Sequence, residues 1–309
     1  MKFRFVCPLC HSSLTNLRCS GICGTEYSQN AGIPSFISRQ MYATETDFLD
    51  ALRIIDFWGN GWEKRFQESD HANLFSASQV ELQALVEEDK AFHRDSESVM
   101  PLLPSDVAGK LTLNIGCGAG SEALILASNG AQCIVTDITM PAARATELLV
   151  KNLGGECVAM QADSRFLPLP DATVDLVYSS GVLHHSPSIE KSIAEIHRVL
   201  KPGGRAYIML YATWSVLFIQ QRLVRSMGEG AWETGTRKNP HTTTYTLKEC
   251  RRLFSRFTLN NLVKTGEALK HLAIVGKYVP KALDRVLFSL LGPCINIEAI
   301  KPYEDNSSK

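Results

Sequence analysis

Leu111-Thr112-Leu113-Asn114-Ile115-Gly116-Cys117-Gly118-Ala119-Gly120 is the stretch on which the reading of this chain turns. An apolar run breaks into three alternating glycines, and a helix-like run, Ser121 to Asn129, follows at once. The pattern reads as a strand, a tight turn and a helix N-terminus. Glycine serves such a turn because it tolerates φ > 0 and leaves no Cβ in the path of a ligand approaching the backbone. The open helix end adds unpaired N–H groups. A nucleotide-like ligand is the expectation.

Outward from this turn, strands and helices alternate to residue 212. Leu111–Ile115 reads as a strand, Ser121–Asn129 as a helix with Gly130 as its stop, and Gln132–Thr136 as a second strand ending on Asp137. Met140–Lys151 is a helix with Pro141 near its first turn, and Cys157–Gln161 a third strand ending near Asp163. Val174–Ser179 is a fourth strand, Ile189–Leu200 an amphipathic helix stopped by Lys201-Pro202-Gly203-Gly204, and Arg205–Tyr211 a fifth strand. Strands at Thr258–Thr265 and Cys294–Ile300 complete an expected doubly wound, mainly parallel, seven-stranded α/β sheet. In such sheets ligands sit outside the carboxyl ends of the strands. The glycines, Asp137 and Asp163 all fall there.

Residues 1–40 read as a separate small unit. Cys7-Pro8-Leu9-Cys10 is followed by Cys19-Ser20-Gly21-Ile22-Cys23-Gly24. Two close cysteine pairs, Cys7, Cys10, Cys19 and Cys23, supply four thiolates to one tetrahedral structural Zn²⁺. So short a segment also needs such a staple. A redox pair and a metal-free turn are the alternatives. Phe3–Val6 and Glu26–Ser28 are short enough for hairpin strands.

Residues 41–110 read as a helical connector, with helices at Asp47–Trp58 and Gln79–His93 and the cluster Phe57-Trp58-Gly59-Asn60-Gly61-Trp62 between them. That cluster suits either helix packing, the favoured reading, or a lid over a ligand. Residues 111–309 form the main domain, with insertions at about 212–246 and 268–292. Those insertions hold an apolar helix at Trp214–Val224, a polar loop at Met227–Thr246 and an amphipathic helix at Lys277–Leu291. Leu247–Phe257 is a further helix, and Glu304–Lys309 a polar tail.

Composition sets outer bounds. The 309 residues are 45% hydrophobic and 21% charged with a net charge of zero, as in a globular protein without a global field for nucleic acid or acidic membranes. The first residues do not read as a signal peptide, and no apolar run reaches the length of a membrane span. Nine cysteines, four of them clustered, suit a reducing, cytoplasmic compartment with one metal site.

At the main site a dinucleotide fold wants a third glycine at the sixth position of its fingerprint, where this chain has Ser121. Asp137 suits ribose hydroxyls in either case. Asp163, beside Ser164, is placed to accept from an adenine amino group. The pattern therefore favours S-adenosylmethionine over NAD.

Residues 111–210 resemble a class I S-adenosylmethionine-dependent methyltransferase. The resemblance rests on Leu113–Gly120, Thr136-Asp137-Ile138, Gln161-Ala162-Asp163 with Leu167–Asp171, Val174–Ser180, Val182–His185 and Arg198–Gly204. The N-terminal segment is similar to zinc ribbons found ahead of such domains. Its end, Asn30–Phe36, is similar to small ribbon proteins that activate methyltransferases. The gap between Cys19 and Cys23 has three residues where two are commoner.

The resemblance implies that Gly116, Gly118 and Gly120 floor the amino-acid part and ribose. It also implies that Asp137 binds ribose, that Ile138, Asp163 and Ser164 bind adenine, and that Ser180 lines the methionine end. Asn114 stands where that family carries an acid, keeping an acceptor and losing the charge.

Methyl transfer needs alignment, exclusion of water and, for a hydroxyl or acidic carbon, a base. His185 is the candidate base, with His184 its rival and a purely structural histidine the alternative. Tyr211, Trp214 and His241 are candidates to line the acceptor pocket. The expected acceptor is a small or medium-sized metabolite, with a lipid-linked or biosynthetic intermediate suggested by the apolar segments. RNA methylation through the ribbon is the second reading, and neutral charge argues against it. A non-catalytic scaffold, motivated by Asn114, is the third. Nothing in the sequence indicates an oligomeric state.

Overall fold

The computed structural model describes residues 3–68, 73–95, 103–215, 240–266 and 291–303. Before the glycine turn come β1 (Leu14–Thr15), β2 (Arg18–Cys19), β3 (Ser28–Asn30), β4 (Ile33–Ser35), α1 (Glu45–Gln67) and α2 (Gln79–Asp95). Next are β5 (Leu111–Ile115), α3 (Ser121–Ser128), β6 (Gln132–Asp137), α4 (Met140–Asn152) and β7 (Cys157–Gln161). Then follow β8 (Val174–Ser180), α5 (Ile189–Val199), β9 (Leu200–Tyr211), α6 (Leu247–Leu253), β10 (Thr258–Thr265) and β11 (Cys294–Ile300).

Among the described residues one sheet runs β10-β11-β9-β8-β5-β6-β7-β4-β3. Strands β9-β8-β5-β6-β7 are parallel, while β11 is antiparallel to both β9 and β10. The seven expected strands are all present. Parallel strands need both faces covered. One apolar cluster packs α5 (Ile189, Ile193, Ile196) and α6 (Cys250) against Leu113, Ile115, Val177 and Ile208. A second packs α2 (Leu82, Val86), α3 and α4 against Cys133, Val135, Leu176 and Tyr178 on the other face.

Two further strands come from the N-terminal segment. Strand β4 pairs in parallel with β7, where the Phe36 N–H donates to the Gln161 carbonyl over 2.8 Å, and β3 closes the edge as a hairpin partner of β4. The Val6 N–H donates to the Pro168 carbonyl, and Cys7, Cys19, Tyr27 and Phe36 lie in the same buried cluster as Leu113 and Ile134. The small segment thus has its apolar residues in the core of the large one. The hairpin strands expected at Phe3–Val6 and Glu26–Ser28 are replaced by β1–β2 and β3–β4. Val6 makes only a bridge to Ser13, because the Cys7–Cys10 turn folds the chain back within a few residues.

Helix α1 extends well beyond the expected Asp47–Trp58. Thr44 and Asp47 form a capping box at its start, and the chain stays helical through Gly59 and Gly61 to Gln67. Each interior glycine costs about 1 kcal/mol relative to alanine. Packing of Trp58, Trp62 and Phe66, spaced four apart, offsets this. The Lys201-Pro202-Gly203-Gly204 run, read as a helix stop, lies inside β9, with Gly203 at φ 79° and a register shift opposite it in β8. Helix α6 ends at Leu253 rather than Phe257. Most of the helices expected at Trp214–Val224 and Lys277–Leu291, most of the loop at Met227–Thr246 and the tail at Glu304–Lys309 lie outside the described residues. Among the described residues no helix is long and apolar enough to cross a membrane.

Candidate active site

Strand order reverses at β5, whose neighbours are β6 on one side and β8 on the other. The crevice beyond the carboxyl ends at such a reversal is where doubly wound sheets bind ligands. A cavity of about 350 Å³ opens there. Its floor is Ile115 to Glu122, and its sides include Asp137, Ile138, Asp163, Ser164, Ser180 and His185. Its roof is α1, which contributes Ile54, Trp58 and Trp62 at four-residue spacing.

The glycine turn is conformationally demanding. Gly116 and Gly118 have φ of 70° and 50°, a region strained for residues with a Cβ. A Cβ on Gly116 would lie 2.2 Å from the Val182 side chain, and one on Gly118 2.8 Å from the Trp62 ring. Gly120 (φ 92°) caps the start of α3. Asp137 closes the turn: Oδ2 accepts from the Gly118 N–H at 3.2 Å, and Oδ1 from the Thr139 N–H and hydroxyl at 2.9 and 2.8 Å. Burial nevertheless raises its carboxyl above the usual carboxylate range.

Asp163 is held differently. Its Oδ1 accepts from the Arg165 N–H and Nε at 2.9 and 3.0 Å, while Oδ2 accepts from the Arg165 guanidinium at 2.6 Å and the Tyr42 hydroxyl at 3.3 Å. Arg165 and Asp163 form a buried ion pair, and the guanidinium also lies over the Tyr42 ring. Ser164 Oγ is 2.8 Å from Ser192 Oγ. Asn114 sits behind the cavity wall, 2% exposed, with Nδ2 donating to the Tyr178 carbonyl and Oδ1 unpartnered.

His185 stands in a short 3₁₀ turn after β8. Its Nδ1 is 3.0 Å from the His241 carbonyl oxygen and 3.1 Å from Thr242 Oγ1. Its ring is 5.2 Å from that of Trp58. Burial pulls its pKa down to about 4, so the ring is neutral at physiological pH. His184 is fully buried, has no partner for either ring nitrogen and stacks on Tyr211 at 3.7 Å. Its pKa is likewise depressed by burial. Of the residues expected at an acceptor pocket, Tyr211 lies outside the lining with its ring 5.9 Å from that of His185, and His241 meets His185 through its carbonyl. Trp214 is 66% exposed and lies outside the lining.

The residues fit an adenosine-like polar ligand. Three buried oxygens on the cavity wall, Asp89 Oδ2, Thr136 Oγ1 and Ser180 Oγ, have no hydrogen-bond partner. Natural proteins rarely leave such groups unpaired except where a ligand or water meets them. Sequence reasoning missed Tyr42, Asp89, Glu122 and Arg165. The four-residue spacing of Ile54, Trp58 and Trp62, which that reading did not use, is the signal that could have marked the roof.

The four cysteine Sγ atoms lie within 4.8 Å of one another, with Cys7–Cys23, Cys10–Cys19 and Cys10–Cys23 each at 3.4 Å. These separations exceed an S–S bond of about 2.05 Å. They suit thiolates around one tetrahedral ion with metal–sulfur bonds of about 2.3 Å.

Residues 113–208 match the family described as a methyltransferase domain. The 27-O-demethylrifamycin SV methyltransferase of Amycolatopsis mediterranei is 29% identical over 196 residues, 61% of this chain and 64% of that protein. The sterol 4-C-methyltransferase of Caenorhabditis elegans is 29% identical over 163 residues, 47% of this chain and 49% of that protein. The chloroplastic tocopherol O-methyltransferase of Arabidopsis thaliana is 31% identical over 166 residues, 52% of this chain and 45% of that protein. This chain therefore spans less than two thirds of the length of these curated relatives.

Among solved structures, the complex of the Haloferax volcanii Trm112 methyltransferase activator with a methyltransferase aligns with a TM-score of 0.51 at 15% identity. It covers 72% of this chain and 94% of that one. Magnesium protoporphyrin IX methyltransferase from Synechocystis aligns with a TM-score of 0.51 at 14% identity, over 81% and 99% of the two chains. Both likenesses are of fold.

Proposed function

We propose that this chain, whose residues 113–208 match a methyltransferase-domain family, transfers a methyl group from S-adenosylmethionine to a small or medium-sized, largely apolar metabolite. The observation that carries the reading is the cavity at the strand-order reversal, where the glycine turn, Asp137 and His185 meet under an aromatic roof.

Gly116, Gly118 and Gly120 would hold the amino-acid part and ribose, with Asp137 at the ribose hydroxyls. Ile138 and Ser164 would bound the adenine, over an Asp163 fixed by Arg165 and Tyr42. Ser180 would meet the methionine end with its unpartnered hydroxyl. When bound, S-adenosylmethionine supplies a methyl group already activated on a sulfonium. The chain's own task is to align the acceptor, keep water out and take a proton where the acceptor has one to lose. Trp58, Trp62 and Val182 exclude water from above the turn. His185, neutral and with Nδ1 facing a carbonyl, is the residue that would take the acceptor's proton.

The apolar roof supports an apolar acceptor. Relatives named for a sterol, a tocopherol and a rifamycin support a small molecule. Cys7, Cys10, Cys19 and Cys23 would hold a structural zinc ion that ties the N-terminal segment together.

Calorimetric titration of the zinc-loaded chain with S-adenosylmethionine and S-adenosylhomocysteine tests the reading. Micromolar binding lost in Asp137→Ala supports it, and a screen of sterol-like and phenolic acceptors then assigns the class. Failure of both ligands to bind a folded, zinc-loaded protein would favour a non-catalytic scaffold.

A further inference from the structure

The described residues also form a second recess, of about 230 Å³, and none of its lining residues lines the cavity at the strand-order reversal. One wall is the face of α5 that carries Glu190, Ile193, Ala194 and His197, the i, i+3, i+4, i+7 stripe of a helix. The other wall is Arg252, Leu253, Ser255, Arg256 and Phe257, at the end of α6 and the turn into β10. Ile193 and Phe257 are buried and Leu253 is half-buried, which gives the recess an apolar floor.

Its rim is positive at one end. Arg18, Arg39, Arg53, Arg165, Arg198 and Arg205 each pair with a carboxylate, whereas Arg252 and Arg256 pair with none among the described residues. The carboxylate of Glu249, one turn before Arg252, is taken by the N–H and hydroxyl of Thr246 at 2.7 Å each, as part of the cap of α6. Glu190, the one acid in the described lining, stands in the first turn of α5, about 10 Å along the helix from His197. His197 marks the positive end. It is hydrogen-bonded to the Arg256 backbone, and its ring meets that of Phe257 edge-on at 5.0 Å. Burial, then the charges of Arg256 and Lys301, hold its pKa below the ordinary value.

Positive groups gathered without a counter-charge favour an anion. A guanidinium presents paired N–H donors that match a carboxylate or a phosphate. The floor beside them favours hydrocarbon. The recess has the volume of roughly eight waters at about 30 Å³ each, so that hydrocarbon is short. We propose that this recess binds a small amphipathic anion, its carboxylate or phosphate head at Arg252, Arg256 and His197 and its short apolar stem over Ile193, Leu253 and Phe257. The assignment does not depend on the proposed methyl transfer.

The test is calorimetric and NMR titration with hexanoate, hexyl phosphate, hexanol, hexylamine and inorganic phosphate. Hexanoate and hexyl phosphate should bind with Kd of about a millimolar or tighter, and the other three at least about tenfold more weakly. The order of the first two assigns the head group. Arg252→Gln and Arg256→Gln, both at exposed positions, should each weaken these two about tenfold and leave the melting temperature unchanged. Binding should also raise the pKa of His197, read from its ring resonances, because an anion favours the protonated ring. The charged groups around that ring are Arg256 and Lys301, with Arg252 and Glu190 in the same lining. Equal binding of hexanol and hexanoate would overturn the assignment by leaving only an apolar groove. Equal binding of inorganic phosphate and hexyl phosphate would overturn it as an adventitious ion only. Unchanged affinities in both arginine variants, or an unmoved His197, would place the anion elsewhere.

Discussion

The Nδ1 atom of His185 lies 3.0 Å from the carbonyl oxygen of His241. A carbonyl only accepts, so Nδ1 carries the proton and Nε2 keeps its lone pair. The neutral ring is therefore in the tautomer that a base needs. Its pKa of about 4 means that lowering the pH from 7 to 5 does not protonate it. With an acceptor hydroxyl as nucleophile, the acid limb of kcat/KM should fall near pH 4 rather than near 6.5. His185→Gln should lower kcat by about 10²–10⁴. A limb at 6.5, or a variant with full kcat, would remove His185 from the chemistry.

The same burial sets a stability trend. His184 and His185 both have folded pKa values below the unfolded value of about 6.5. Below that pH the unfolded chain takes up protons that the folded chain refuses, so stability falls as pH drops from about 6.5 toward 4. The slope approaches about 1.4 kcal/mol per pH unit for each histidine. Urea melts at pH 7, 6 and 5 should show the midpoint falling. His184→Phe, which keeps an aromatic face against Tyr211, should flatten that fall.

Gly118 is predicted to be irreplaceable for a reason other than turn conformation alone. An alanine there would be strained at φ 50° and would also press its Cβ to within 2.8 Å of the Trp62 ring. Gly118→Ala should lower stability by about 1–3 kcal/mol and displace the roof. Quenched or shifted tryptophan emission together with a lost cofactor titration would report both effects. Gly109→Ala, also at positive φ (70°) but with nothing within 4 Å of its Cβ, separates backbone strain from the clash.

The strands from Leu111 to Tyr211 were legible because buried parallel strands are short apolar runs cut by glycines and acids at their carboxyl ends. The glycine turn and Asp137 stood out for the same reason. The long reach of α1 was hidden because Gly59 and Gly61 signal a break. Only tertiary contacts, of Trp58 with His185 and of Trp62 with the glycine turn at Gly118, outweigh that signal. Asp163 was legible as a polar residue at a strand end, but its pairing with Arg165 and Tyr42 was not. Tyr42 lies 121 residues away in the chain, and no local pattern joins them. Glu122 and Asp89 were missed because acids on helices usually face water. Likewise, the cysteine spacing announced a four-cysteine cluster without telling that the hairpin after it, β3–β4, would extend the main sheet.

The Asp163–Arg165 pair should be costly to break on one side only. Both side chains are buried, at 4% and 7% exposure, so Asp163→Asn leaves a guanidinium without its counter-charge. About 3–5 kcal/mol of stability should be lost, with a smaller loss for the paired replacement Asp163→Asn with Arg165→Met. Chemical denaturation of the two single variants and the double variant measures this as a cycle. If the single and double variants are equally stable, the pair is not the strut that its geometry describes.

Removal of the proposed zinc ion should reach the proposed cofactor cavity. Cys7 Sγ lies 3.2 Å from the Tyr27 hydroxyl, and the Tyr27 ring packs 5.2 Å from that of Phe36. Phe36 is hydrogen-bonded through its N–H to Gln161, whose Nε2 donates to the carbonyl of Ile138 on the cavity wall. A structural ion bound by four thiolates contributes its binding energy to folding. Chelation, or Cys19→Ser, should therefore lower the melting temperature and weaken S-adenosylhomocysteine binding together. One zinc per chain in the untreated protein, released in step with the loss of binding, is the expected result. A chelated protein that keeps full affinity would mean that the N-terminal strands hold the sheet edge without the metal.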